Sequence, residues 1–191
     1  MPPRGKFQQQ SISLRKFDPA TIDHCRILVL IGKRGTGKST LVTDLLSHHK
    51  DIPHGIVMSA TEESNGYWSQ YVPELFIYND FDRDAMERLV NHQRKQAKKG
   101  PRGKSAFVLA DDCMYDKSFT KDTLMRGIFM NGRHWKILLV LTMQYSMDIP
   151  PALRGERPDE TTATFIKSRH LLVRVLTAPL RRLTSANIDY V

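Results

Sequence analysis

The sequence predicts an α/β fold, a mostly parallel central sheet flanked by helices in three layers. Three observations carry that expectation. Apolar runs of strand length alternate with helical patterns, which is how a sheet covered on both faces is written. Residues Gly32 to Ser39 read G-K-R-G-T-G-K-S, a complete phosphate-binding loop between the apolar run at 26–31 and a helix-like run beginning at Thr40. A second apolar run, Ser105-Ala-Phe-Val-Leu-Ala110, ends in Asp111-Asp112. With 191 residues and 40% apolar content, the chain can build one layered core and is short for two.

Taken in order, strands are predicted at 26–31, 55–60, 75–79, 106–111 and 137–143, with a last one beginning at 188. Residues 40–50 read as the helix after the phosphate loop. Residues 82–99 form a long amphipathic helix that places Ala85, Met86, Leu89, Val90 and Gln93 on one face and stops at Gly100-Pro101. A shorter helix is expected over 120–132. Residues 1–25 read as a polar N-terminal arm, since Pro2-Pro3 and Gln8-Gln-Gln10 offer nothing to pack. No run approaches the roughly 18 apolar residues of a membrane span, and the N-terminus lacks the apolar stretch of a signal peptide. No membrane insertion and a soluble, intracellular protein are expected.

The phosphate loop implies a bound nucleoside triphosphate. Its glycines let consecutive backbone N–H groups curl around a polyphosphate, and the following helix points its positive end at it. The contacting set is Gly32, Lys33, Arg34, Gly35, Thr36, Gly37, Lys38, Ser39 and Thr40. Lys38 reaches the terminal phosphates and Ser39 is placed to ligate Mg²⁺. Asp111-Asp112 closes a buried strand at its C-terminal end, where open α/β sheets bind ligands. There Asp111 would complete the Mg²⁺ shell and Asp112 would orient or deprotonate the attacking water. Strands between the two motifs fit the RecA/ASCE-like NTPases rather than simple nucleotide kinases. Gln144, at the tip of the next strand, is placed to sense a γ-phosphate, with a loop contact as the alternative. Arg133, eleven residues earlier, is either a functional cation or a solvated helix-end charge.

The ordered set of Gly32–Ser39, Phe107-Val-Leu-Ala-Asp-Asp112, Gly132-Arg-His134 and Thr142-Met-Gln144 resembles the FtsK/HerA superfamily of DNA-pumping ATPases. More narrowly, Asn131-Gly-Arg-His134, Met143-Gln144, Ile149-Pro150 and Asn187-Ile-Asp-Tyr-Val191 look like the poxvirus-type packaging ATPases of large double-stranded DNA viruses. The match runs from about Asp18 to Leu153 and resumes at Asn187. The resemblance implies a ring of identical subunits that uses ATP and Mg²⁺ to drive double-stranded DNA into a capsid, docking on capsid or portal components, in a host virus factory or virion. It also implies that Arg133 is a finger completing a neighbour's site and that Gln144 reports the γ-phosphate. Two departures stand out. Asp112 occupies a position where many relatives in the superfamily carry Glu. Residues 155–185 interrupt the family's continuity, since removing them joins Arg154 to Ala186.

That divides the chain into the arm at 1–25, an ATPase core at 26–154, an insertion at 155–185 and the start of a further, truncated core strand at 186–191. The insertion has no clean strand or helix boundary despite the apolar run 171–176. It reads either as translated intron, which a transcript lacking it would reveal, or as a surface loop, which is thermodynamically inexpensive.

Other features have ordinary readings beside functional ones. A net charge of +9 and a pI near 9.7 suit a polyanionic partner and equally suit plain solubility. Arg94, Lys95, Lys98, Lys99, Arg102 and Lys104 form a cationic stretch that could track DNA phosphates or simply be a solvated face. Tyr67, Trp68 and Tyr71 are expected to pack rather than stack on bases. His48-His49 are expected to cap a helix dipole, and His134 carries no independent chemistry. Cys25 and Cys113 lack a C-x-x-C or His-rich pattern, which argues against a disulfide framework or zinc site and for buried thiols. A small-molecule kinase would share the phosphate loop but needs an arginine-bearing lid that the sequence does not show. A non-catalytic nucleotide-binding remnant is the third reading.

Overall fold

The first strand, β1 (Ile27–Gly32), leads directly into the phosphate loop, and α1 (Lys38–Ser47) leads out of it. This computed structural model describes residues 18–113, 119 and 121–144, together with the strands at 163–167, 171–176 and 188–190. After α1 come β2 (His54–Ser59), the single turn α2 (Glu62–Asn65), β3 (Ile77–Tyr78), α3 (Arg83–Ala97), β4 (Ala106–Asp111), α4 (Thr123–Asn131) and β5 (Ile137–Met143). Strands β6 (Ala163–Lys167), β7 (Leu171–Leu176) and β8 (Ile188–Tyr190) follow.

The sheet order is β3-β2-β4-β5-β1-β7-β6-β8. From β3 to β1 every pairing is parallel. The strand bearing Gln144 at its tip therefore lies between the strand feeding the phosphate loop and the strand ending in Asp111. Strand alternation sorts the core onto two faces. Val29, Met58, Val108, Leu139 and Leu141 pack with Met86 and Val90 of α3 and Met125 and Ile128 of α4. Leu28, Leu30, Leu109, Leu138 and Val140 pack with Val42 and Leu45 of α1 and with Trp68. Helices on both faces make the three layers the sequence predicts.

Boundaries moved for local reasons. α1 begins two residues earlier than the apolar pattern suggests, because Gly37 takes a left-handed φ of 83° and turns the chain into the helix at Lys38. α3 is capped by the Asp82 carboxylate, which accepts from the Ala85 N–H at 2.7 Å. α4 starts at Thr123 because Asp122 caps it, accepting from Leu124 at 2.7 Å and Met125 at 3.3 Å. β3 shrinks to two residues, since a 3-10 turn at Glu74–Phe76 occupies the start of the predicted strand.

The largest correction concerns 155–185, expected to lack strand boundaries. It contributes β6 and β7, and β7 pairs antiparallel along all six residues of β1. β6 pairs antiparallel with β7 and parallel with β8. The nearly continuous apolar run at 171–176, broken only by Arg174, suits a strand, and the free edge of β1 supplies its partner. The expected strand at 188 is present, although it lies at the sheet edge. Among the described residues, no helix is long and apolar enough to cross a membrane. His48 is the C-cap residue of α1, as expected of a helix end, but His49 turns inward. Burial, and then the neighbouring His24, push the His49 imidazole pKa below its ordinary value. The polar arm at 1–25 is described only from residue 18, and Ile149-Pro150 lies outside the described residues.

Candidate nucleotide site

Three parallel strands end at one edge of the sheet and bring the predicted residues together. Gly35 and Gly37 hold φ angles of 75° and 83°, a region in which other L-residues are strained. α1 has no side-chain N-cap and no acidic residue in its first turn, so its amide end faces the loop without a competing anion. Lys38 is buried and its ammonium donates to the carbonyls of Gly32 at 2.9 Å and Lys33 at 3.2 Å, spanning the loop. Thr36 closes the turn by donating to the Lys33 carbonyl at 2.8 Å.

Asp111 is almost fully buried and is held from three sides. Ser39 Oγ donates to its Oδ2 at 3.3 Å, the Trp68 indole donates to the same oxygen at 2.8 Å, and Thr142 donates to Oδ1. Strand phase explains the convergence. Asp111 lies two residues beyond Leu109 and Thr142 two beyond Val140, so both point to the face that carries α1, and the two residues are register partners across β4 and β5. Asp112 adopts a positive φ of 56°, a conformation Asp tolerates better than most residues. Its N–H donates to Thr142 Oγ1 at 3.1 Å, and Gln144 Nε2 donates to its Oδ2 at 2.8 Å. Gln144 thus touches the second carboxylate directly.

Arg34, Gly35, Lys38, Ser39 and Thr40 face Asp111 and Asp112 across a cleft of about 390 Å³, with Thr61 and Tyr67 on the remaining wall. A separate hollow of about 440 Å³ at the start of β2, lined by His54, Tyr71, Phe76, His92 and Phe107, contains none of these groups.

A protein-family model described as RNA helicase matches residues 28–98, from β1 through α3, which includes the phosphate loop and stops short of Asp111. Among curated proteins, the uncharacterized protein 075L of Invertebrate iridescent virus 6 is 41% identical over 149 residues, covering 78% of this chain and 57% of its own length. Uncharacterized protein 015R of Frog virus 3 (isolate Goorha) is 43% identical over 130 residues, 67% of this chain and 40% of its own length. The chain thus spans about half the length of the curated relatives it matches. Among solved structures, the genome packaging NTPase B204 from Sulfolobus turreted icosahedral virus 2 in complex with ATP-gammaS superposes with a TM-score of 0.51 at 19% identity, covering 78% of each chain. The chain has the fold of the P-loop NTPases. Its fold and its homologues from large DNA viruses agree with the FtsK/HerA placement drawn from the motifs.

In this fold the loop, Asp111, Asp112 and Gln144 share one site, while Arg133 does not join them. Arg133 follows α4, is exposed, and lies before β5, whose seven residues span roughly 20 Å to Gln144 at the nucleotide edge. Its Nε donates to His134 Nε2 at 3.2 Å. The cationic stretch 94–104 is exposed near that same far edge, where Lys136 donates to the carbonyls of Gly100 and Gly103. Arg94 stacks on the Trp135 ring at 4.6 Å. Cys25 is half-buried and Cys113 fully buried, both as free thiols. Burial pushes the Cys113 pKa up to about 12 and keeps it an inert thiol behind Asp111.

Sequence reasoning missed Trp68, Thr142 and Glu62. Thr142 is the lone polar residue of the apolar strand and in phase with Leu138 and Val140, a signal that was available. Trp68 packs, as expected, yet its indole also fixes a site carboxylate. Glu62 is buried and accepts from the backbone N–H groups of Trp68 at 2.9 Å and Ser69 at 2.8 Å, anchoring the turn that carries the indole. Glu62→Ala is expected to destabilise the fold by about 2–4 kcal/mol, at one to three per unpaired donor. Urea unfolding measures it, and a loss below about 0.5 kcal/mol would reduce Glu62 to an ordinary surface residue.

Proposed function

We propose that this P-loop NTPase is an ATP-dependent translocase of double-stranded DNA that packages a viral genome, working as a ring of identical subunits docked on capsid or portal components. The observation that carries the reading is the hydrogen bond from Gln144 to Asp112, which joins a γ-phosphate sensor to the base of a site whose other carboxylate meets Ser39. A hydroxyl and a carboxylate 3.3 Å apart are hard oxygen donors of the kind Mg²⁺ takes, so Ser39 and Asp111 fit that ion and would hold it. Bound there, Mg²⁺ would supply positive charge to the β- and γ-phosphates.

The chain's own residues account for the rest. The loop amides and Lys38 bind the phosphates, for which the ammonium exchanges its present carbonyl partners. Asp112, with Oδ2 held by Gln144, retains Oδ1 to accept the proton of a water as its oxygen attacks the γ-phosphorus. The bond to the β–γ bridging oxygen breaks and ADP leaves with that electron pair. Trp68 and Thr142 fix Asp111, so the carboxylate does not swing with each turnover. Departure of the γ-phosphate alters the surroundings of Gln144, and β5 links that tip to the edge bearing Arg133.

Because Arg133 lies across the sheet from its own phosphate loop, it would serve only a neighbour's site. Arg133→Ala and Lys38→Ala are each expected to abolish DNA-stimulated phosphate release alone, whereas a mixture regains part of it, since some interfaces pair an intact arginine with an intact loop. Phosphate release measured against duplex DNA concentration checks this. Hydrolysis indifferent to DNA would remove the translocase reading, and none under any condition would favour the non-catalytic remnant.

A further inference from the structure

Three side chains that the nucleotide chemistry does not use converge where the chain enters β1 and leaves α1. His24 precedes β1, and His49 and Asp51 follow α1. Their ligand atoms all lie within 4.8 Å of one another. His24 Nε2 stands 3.5 Å from an Asp51 carboxylate oxygen, and the His24 and His49 rings meet edge-on with centroids 5.1 Å apart. His49 is only 5% exposed, yet among the described residues its Nε2 has no hydrogen-bond partner. A buried polar nitrogen left in that state is destabilising unless something meets it. A buried ring nitrogen without a partner, in a cluster with a second imidazole and a carboxylate, offers the donor set that a metal ion completes.

We propose that His24, His49 and Asp51 bind a zinc-class divalent cation. Imidazole and carboxylate donors suit zinc and its neighbours, whereas the oxygen set of the phosphate site suits Mg²⁺. Three protein ligands leave a fourth position for water. Bonds of 2.0–2.1 Å in a tetrahedral site put ligand atoms about 3.4 Å apart. His24 and Asp51 already stand at that spacing, and closing the 4.8 Å envelope takes roughly 1 Å of movement, within reach of the partly exposed His24 ring and the exposed Asp51. The cation would clasp the two ends of the β1–loop–α1 unit at the side away from the nucleotide, fixing the base from which the phosphate loop projects.

The test uses the full chain stripped with a chelator, dialysed, and kept in millimolar Mg²⁺ so that the phosphate site is satisfied. Zinc alone is titrated calorimetrically, and cobalt(II) is followed by its visible absorption. One equivalent of zinc is expected, with tetrahedral cobalt bands. Asp51→Asn and His24→Gln, at positions exposed enough to keep the fold, should each weaken binding by about 10–100-fold or more. His49→Gln should remove the cobalt bands, and the adjacent exposed His48→Ala should change nothing. Absence of a zinc equivalent, or affinity unchanged in both Asp51→Asn and His24→Gln, overturns the proposal. So does zinc binding that disappears with Asp111→Asn, which would assign the ion to the phosphate site.

Discussion

Asp112→Asn is expected to slow hydrolysis by about 10²–10⁴-fold, the range a positioned general base contributes, while leaving nucleotide binding in place. The residue stands beyond the loop and bonds to the end of β5 and the residue after it: Gln144 donates to its Oδ2, and its backbone N–H donates to Thr142. An asparagine can keep its oxygen toward Gln144 and preserve that geometry. It then presents an amide to the water, which cannot accept a proton. Single-turnover phosphate release paired with binding of a fluorescent nucleotide separates the two effects. A variant that hydrolyses at the wild-type rate would remove Asp112 from the base role and leave it a structural partner of Gln144.

Lys38→Ala should fail differently, losing affinity and turnover together. Its ammonium now bridges the Gly32 and Lys33 carbonyls, so it defines the loop's shape and also supplies the charge that meets the phosphates. Removing one preorganised electrostatic group of this kind costs about 10²–10³ in turnover. The same binding assay should show nucleotide affinity falling, in contrast to Asp112→Asn. Undiminished affinity in Lys38→Ala would mean that the loop amides and the end of α1 suffice to hold the phosphates.

The loop, both carboxylates and the strand tipped by Gln144 were legible because each is encoded in a few adjacent residues with a spacing fixed by chemistry. The sheet's central order was not: the strand that comes between β1 and the carboxylate strand is β5, which follows both motifs in sequence, and no local spacing says where it inserts. Trp68 was not legible as a site residue, because it reaches Asp111 across 43 positions and nothing local to either residue announces the pairing. Glu62 looks like any acid in a helical turn until the fold buries it. The strands at 163–167 and 171–176 escaped for a similar reason: a short apolar run reads as strand only when a partner edge is known, and for 171–176 that edge is β1. His49 misled because helix-end histidines ordinarily face water, whereas this one turns under the start of β1.

The indole bond to Asp111 also has an optical side. The chain has two tryptophans, and they occupy opposite edges of the sheet. Trp135 is covered by the Arg94 cation at the far edge, while Trp68 is buried with its N–H aimed at the carboxylate that meets Ser39. Any change of charge at that carboxylate falls on one chromophore and spares the other. The protein thus carries its own emission probe of the nucleotide site, with no label attached and with an internal reference about a sheet's width away.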